Sequence, residues 1–206
     1  MKPRTRDALI LVAGLPGVAT PFLPFETVWG FSPCSLLDNV SLHDVGQVVR
    51  GLAFAVSVFL PIVVTIWQAR RWWLGEPVSW ERRLFSCFAA ISLVLVSAFQ
   101  VAEIVAEIFG SEIDGIGYSL LWLVLLLLLV AGNVALLVLN RRRRIATGDV
   151  VECFLLGSYV AFVVPFLFMF VSDLDVGGML AAWTCVVYAA TIVVRARNRP
   201  DTGTVT

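Results

Sequence analysis

Residues 117–139 read GYSLLWLVLLLLLVAGNVALLVL, and after Asn140 come Arg141, Arg142, Arg143 and Arg144. No ionisable side chain other than the Tyr118 phenol interrupts that run. As an α-helix it reaches about 34 Å, enough to cross the roughly 30 Å hydrocarbon layer of a bilayer. The four arginines mark where it stops, because bases beside a span are retained on the cytoplasmic face.

Five more apolar runs lie on either side: 8–25, 48–68, 84–109, 150–171 and 176–194. The chain is 59% hydrophobic and 15% charged, with a mean hydropathy of +0.90. A soluble core of this size could not hide six such segments, so the apolar surplus needs lipid. The expectation is an all-α, polytopic transmembrane bundle of six helices forming a single integral membrane domain over residues 1–206. The longest connection, 26–47, carries Gly30, Pro33, Asp38 and Asn39 and reads as an irregular outer loop with a short interfacial helix near 41–45.

The bases fix an orientation. Fourteen fall on one side, at Lys2, Arg4, Arg6, Arg70, Arg71, Arg82, Arg83, Arg141, Arg142, Arg143, Arg144, Arg195, Arg197 and Arg199, and six acids accompany them, a net of +8. The other side holds Arg50 against nine acids, including Glu26, Asp38, Asp44, Glu103 and Glu107, a net of −8. Both termini are therefore expected in the cytoplasm, in a membrane of bacterial inner-membrane type, and the zero overall charge implies no nucleic-acid partner. Tryptophans favour headgroup depth, which places Trp67, Trp72, Trp73 and Trp80 at the inner interface and Trp29, Tyr118 and Trp122 at the outer one. The segment 70–83 is expected to lie along the inner headgroups as a loop.

The first run has a second reading. Met1 to Arg6 followed by an apolar stretch and Gly17-Val18-Ala19 resembles a secretory signal, and its cleavage would leave five helices. Against this, the apolar run continues to Phe25, which is long enough to span. Pro16, Pro21 and Pro24 predict an irregular outer end.

Inventory excludes several chemistries. His43, the single histidine, falls in the outer loop, which removes facing haem ligands and the paired histidines of zinc proteolysis. Ser158 has no histidine base at membrane depth. Cys34, Cys87, Cys153 and Cys185 are too scattered for thiol exchange; the last three read as small hydrophobes, and Cys34 as able to form an intermolecular disulfide. No cofactor or firm metal site is expected. The middle of each helix holds only mild polarity, Ser57, Ser92, Asn133, Ser158 and Thr184, with Pro61 and Pro165 in the second and fifth runs. These read as kinks and interhelical hydrogen bonds, or alternatively as broken helices in two inverted halves.

One constellation stands out: Ser97, Gln100, Glu103 and Glu107 share a helix face and form a polar stripe entering from the acidic side. Its carboxylates are candidates for a cation site, or Arg50 neutralises one of them. Arg141, Arg142, Arg143 and Arg144 read as a topogenic or lipid-headgroup cluster. Small-residue pairs such as Gly157 with Ala161 and Ala181 with Cys185 license close helix packing. Three functions remain open. The first is a non-catalytic accessory or assembly component that binds other membrane proteins. The second is a small cation channel or carrier with an acidic outer vestibule, and the third a membrane enzyme acting on lipid at the outer interface.

Overall fold

The computed structural model describes residues 3–24, 45–75, 78–110, 116–142, 145–169 and 171–197. The chain begins with α1 (Pro3–Gly14), which tightens into a 3₁₀ turn (Leu15–Val18). Five long helices follow: α2 (Val45–Leu74), α3 (Ser79–Gly110), α4 (Ile116–Arg141), α5 (Thr147–Met169) and α6 (Val176–Arg197). All five are long and apolar enough to cross a membrane. The protein is thus an all-α, multi-pass integral membrane protein.

The first run differs from the other five. Where a single span over 8–25 was expected, the α-helix stops at Gly14, because Pro16 has no N–H to carry the hydrogen-bond ladder onward. The 3₁₀ turn is secured by the Ala19 and Thr20 amides on the Pro16 and Gly17 carbonyls and by Thr20 Oγ1 donating to Gly17 O at 2.8 Å. Together α1 and the turn rise about 18 Å plus about 8 Å, close to a bilayer's apolar thickness. The turn then closes on α6: the Gly177 amide donates to the Pro24 carbonyl at 2.8 Å. A Cβ at Gly177 would collide with the backbone of Leu23 and Pro24, so only glycine permits this approach.

The other helices outrun their apolar segments, since hydropathy locates the lipid-crossing part and not the helix ends. α2 continues through Arg70 and Arg71 to Leu74 and is capped by Gly75 at φ 80°, whose amide bonds the Arg71 carbonyl. The loop expected over 70–83 thus shrinks to a short connection, of which residues 76–77 lie outside the described ones. The outer loop over 26–44, with Cys34 and His43, also lies outside them, as do Arg143 and Arg144 and the side chains of Arg50, Glu107 and Tyr118.

Helix α5 occupies the middle, in contact with α2, α3, α4 and α6, while α1 packs on α2 and α6. With neighbours on most sides, α5 is the most buried of the spanning helices, and a face stepping through Phe154, Gly157, Val160, Val164 and Leu167 is partly exposed. Its Pro165 lies within a continuous helix, as Pro61 does in α2. A proline cannot donate to the carbonyl four residues earlier, which for Pro165 is that of Ala161. Gln100 of α3 replaces the missing donor, its Nε2 reaching Ala161 O at 2.9 Å.

Contrary to the expected interhelical bonds, most of the mid-helix hydroxyls bond within their own helices, while that of Ser57 is buried with no hydrogen-bond partner among the described residues. Ser92, Ser158, Thr184 and Thr191 each donate to the carbonyl four residues earlier. Two tryptophans also depart from expectation. Trp67 is fully buried against Phe85, and Trp122 is enclosed by Phe99 and Phe166, because their helices turn these positions toward neighbours and not toward headgroups. Trp72, Trp73 and Trp80 are exposed at the basic end of the bundle.

Candidate functional site

At that basic end four elements bring ionic side chains together inside the protein. Arg71 lies near the end of α2, Asp149 and Glu152 in the opening turns of α5, Arg195 near the end of α6, and Asp7 in α1. Arg71 NH1 contacts both Asp149 Oδ1 and Glu152 Oε2 at 2.8 Å. Arg195 reaches Asp7 Oδ1 at 2.8 Å through NH1 and Glu152 Oε2 at 2.9 Å through Nε, with Asp149 Oδ1 at 3.6 Å. Gln68 Nε2 donates to Glu152 Oε1 at 3.0 Å. The Arg195 side chain is 1% exposed and that of Glu152 0%.

Burying one such charge alone is prohibitive, so each must be matched by neighbours. Two guanidinium groups face three carboxylates here, and Arg6, 3.7 Å from Asp7, borders the group. Glu152 is the hub, engaging Gln68, Arg71 and Arg195 at once. The bond between α1 and α6 also places the two ends of the described chain at the same end of the bundle.

A polar seam leads inward from the cluster. Gln68 lies one turn before Arg71, while Thr184, Tyr188, Thr191 and Arg195 step along one face of α6 by fours and threes. Tyr159 follows Glu152 by seven residues on α5, about 10 Å deeper. The rings of Tyr159 and Tyr188 meet edge to face at 5.3 Å, and the Tyr159 hydroxyl sits 3.5 Å from Thr20 Oγ1. The Gln68 Oε1 and Tyr188 hydroxyl atoms are buried with no hydrogen-bond partner among the described residues.

The N-terminal segment lines this seam with glycines. A Cβ at Gly14 would sit 3.6 Å from the Tyr188 ring and 3.7 Å from Gln68 Oε1. At Gly17 it would meet Thr184 Cγ2 at 2.8 Å and Pro61 at 3.3 Å. Trp183 Nε1 adds a bond to Ala13 O at 3.1 Å. The segment therefore forms one wall of the seam, and Asp7 completes its ionic end.

The stripe singled out from sequence lies elsewhere. Gln100 is buried and occupied by the Ala161 carbonyl, while Ser97 and Glu103 are half-buried on α3. Among the described residues no group of three or more His, Cys, Asp or Glu side chains is placed to hold a metal ion. Arg141 and Arg142 are exposed. Cys87 is exposed, and Cys153 and Cys185 are buried thiols.

A family model matches residues 32–197 of the chain. The protein belongs to the SBF-like CPA transporter family. No curated protein and no solved structure was found to match it. The matched part of the chain contains α2 to α6, and with them Arg71, Asp149, Glu152 and Arg195. Asp7 and the glycines of the N-terminal segment lie outside the matched residues.

From sequence, Arg71, Asp149, Glu152 and Arg195 enter only the charge count of the basic side, which says nothing of which of them meet. The signal was there: Asp149 and Glu152 are acids on the basic side of the chain, spaced to share a helix face with Tyr159.

Proposed function

We propose that the protein is a carrier that moves a small solute across the membrane, with the ionic cluster as the closure at the basic end of its polar seam. The observation that carries this reading is the enclosure of Arg71, Arg195, Asp149 and Glu152, supplied by three different spanning helices, at the mouth of the Gln68–Tyr188–Tyr159 seam. Such a closure holds separate helices together by pairs that can part as units, which is what alternating access requires of a gate. A purely structural bundle would obtain equal or greater stability from apolar residues at these positions. Membership of a transporter family weighs in the same direction, and away from the accessory-component reading.

The acidic opposite end, net −8 by sequence, favours a cation as the solute, because it raises the local concentration of positive charge there. Glu103 and Glu107, with Arg50 on the same side of the membrane, form part of that entrance in this reading. The test is flux of sodium and of potassium from liposomes containing the purified protein, read with ion-selective electrodes. Wild-type flux above that of empty liposomes, at least tenfold lower in Glu152→Gln, is the expected result. Flux equal to that of empty liposomes removes the cation carrier, and unchanged flux in Glu152→Gln removes the gate.

A further inference from the structure

Among the described arginines at the basic end, three on α2 and α6 are paired with acids and four on α3 and α4 are not. Arg70, Arg71 and Arg195 are consumed internally: Arg70 takes Glu81 at 2.7 Å, and the other two take Asp7, Asp149 and Glu152. Every described carboxylate at this end is therefore already paired. Arg82 and Arg83 at the start of α3, and Arg141 and Arg142 at the end of α4, are exposed and form no ion pair among the described residues. Because α3 and α4 are antiparallel neighbours, their ends place all four guanidinium groups at one edge of the bundle.

What lies around this edge names the partner. Trp80, in the first turn of α3, is exposed beside it, with Trp73 exposed at the end of α2, and Leu84, Leu137 and Val138 are exposed within about one turn on the membrane side. A basic rim above an apolar helix face, with tryptophans at the junction, matches a molecule having an anionic head and hydrocarbon tails. A nucleic acid or an acidic peptide would leave the apolar face unused. We propose that the α3–α4 edge is a docking surface for anionic phospholipid in the leaflet that the basic end faces, with Arg82, Arg83, Arg141 and Arg142 holding the headgroup phosphate and the apolar faces of α3 and α4 lying along the acyl chains. This surface is separate from the ionic cluster and does not rest on the transport reading.

The test uses the purified full-length protein in uncharged detergent, titrated with brominated phosphatidylglycerol or brominated phosphatidylcholine while tryptophan fluorescence is followed. Wild type is expected to be quenched at lower concentrations of the anionic lipid, and this preference to fade as salt is raised. Each Arg→Gln change at the four positions is expected to weaken anionic-lipid binding by two- to fivefold, with Arg→Lys retaining most of it. Arg197→Gln, on α6 away from this edge, is expected to change it little. Because these bases also guide insertion, each variant is first required to elute and to unfold as wild type does. The wild-type lipid preference and its salt dependence test the surface without any variant. Equal affinity for the two lipids, a preference insensitive to salt, or full competition by soluble glycerophosphoglycerol would each overturn the proposal.

Discussion

Replacing Arg195 with Met removes the most enclosed guanidinium group among the described residues while keeping an unbranched side chain in its place. Asp7 then loses its 2.8 Å partner and Glu152 its 2.9 Å partner, leaving Arg71 with Asp149 and Glu152 and Asp7 with Arg6 at 3.7 Å. Breaking a buried ion pair from one side costs about 3–5 kcal/mol. The 17% exposure of the Asp7 side chain, together with Arg6 3.7 Å away, relieves one of the stranded charges, so the low end of that range, about 3 kcal/mol, applies. For a chain of 206 residues this corresponds to a fall in Tm of about 6–12 °C. The assay is thermal unfolding of purified protein in mild detergent. Adding Glu152→Gln to Arg195→Met removes one of the two stranded acids, so the double variant is expected to be more stable than the sum of the single losses by about 1–2 kcal/mol. A single variant within 2 °C of wild type, or losses that simply add, would refute the account of these groups as one mutually compensating unit; the 2 °C margin is about the shift from 1 kcal/mol or less.

Two further expectations concern packing. Gln100→Leu strands the Ala161 carbonyl and is expected to cost about 1–3 kcal/mol, whereas in a Pro165→Ala background, where the helix supplies its own donor, the same change becomes nearly neutral; equal costs in both backgrounds would sever the link between Gln100 and Pro165. Gly17→Ala drives a methyl to 2.8 Å from Thr184 Cγ2 and is expected to cost about 1–3 kcal/mol, much of it recovered when Thr184→Ser removes that methyl, with unfolding midpoints as the readout. Failure of the serine variant to recover stability would locate the clash elsewhere.

The five long helices were legible because each has about 20 apolar residues bounded by charge, a signal that depends on the solvent and hardly on neighbours. The first run was legible in part: its prolines announced irregularity, but not that Gly14 and Gly17 would let it nest against α2 and α6. The ionic cluster was hidden by the same bookkeeping that gave the orientation, in which Arg71 and Arg195 counted as interfacial bases. Counting charges by side discards which ones face one another, and that is decided by helix rotation and by α5 standing between α2 and α6. Trp67 and Trp122 were misread for the same reason, since depth is written in the sequence but azimuth is not.

The bond from Gln100 to Ala161 fixes more than a stray carbonyl. A slip of α3 along α5 by one residue would move its ends by about 1.5 Å, stretching a 2.9 Å bond across the helices to about 3.3 Å and bending it out of line. The axial register of these two helices is thereby pinned at a single point within the bundle. Motion that kept the pin intact would be confined to pivoting about it, so α3 and α5 would tilt against each other like the blades of scissors and not slide like pistons.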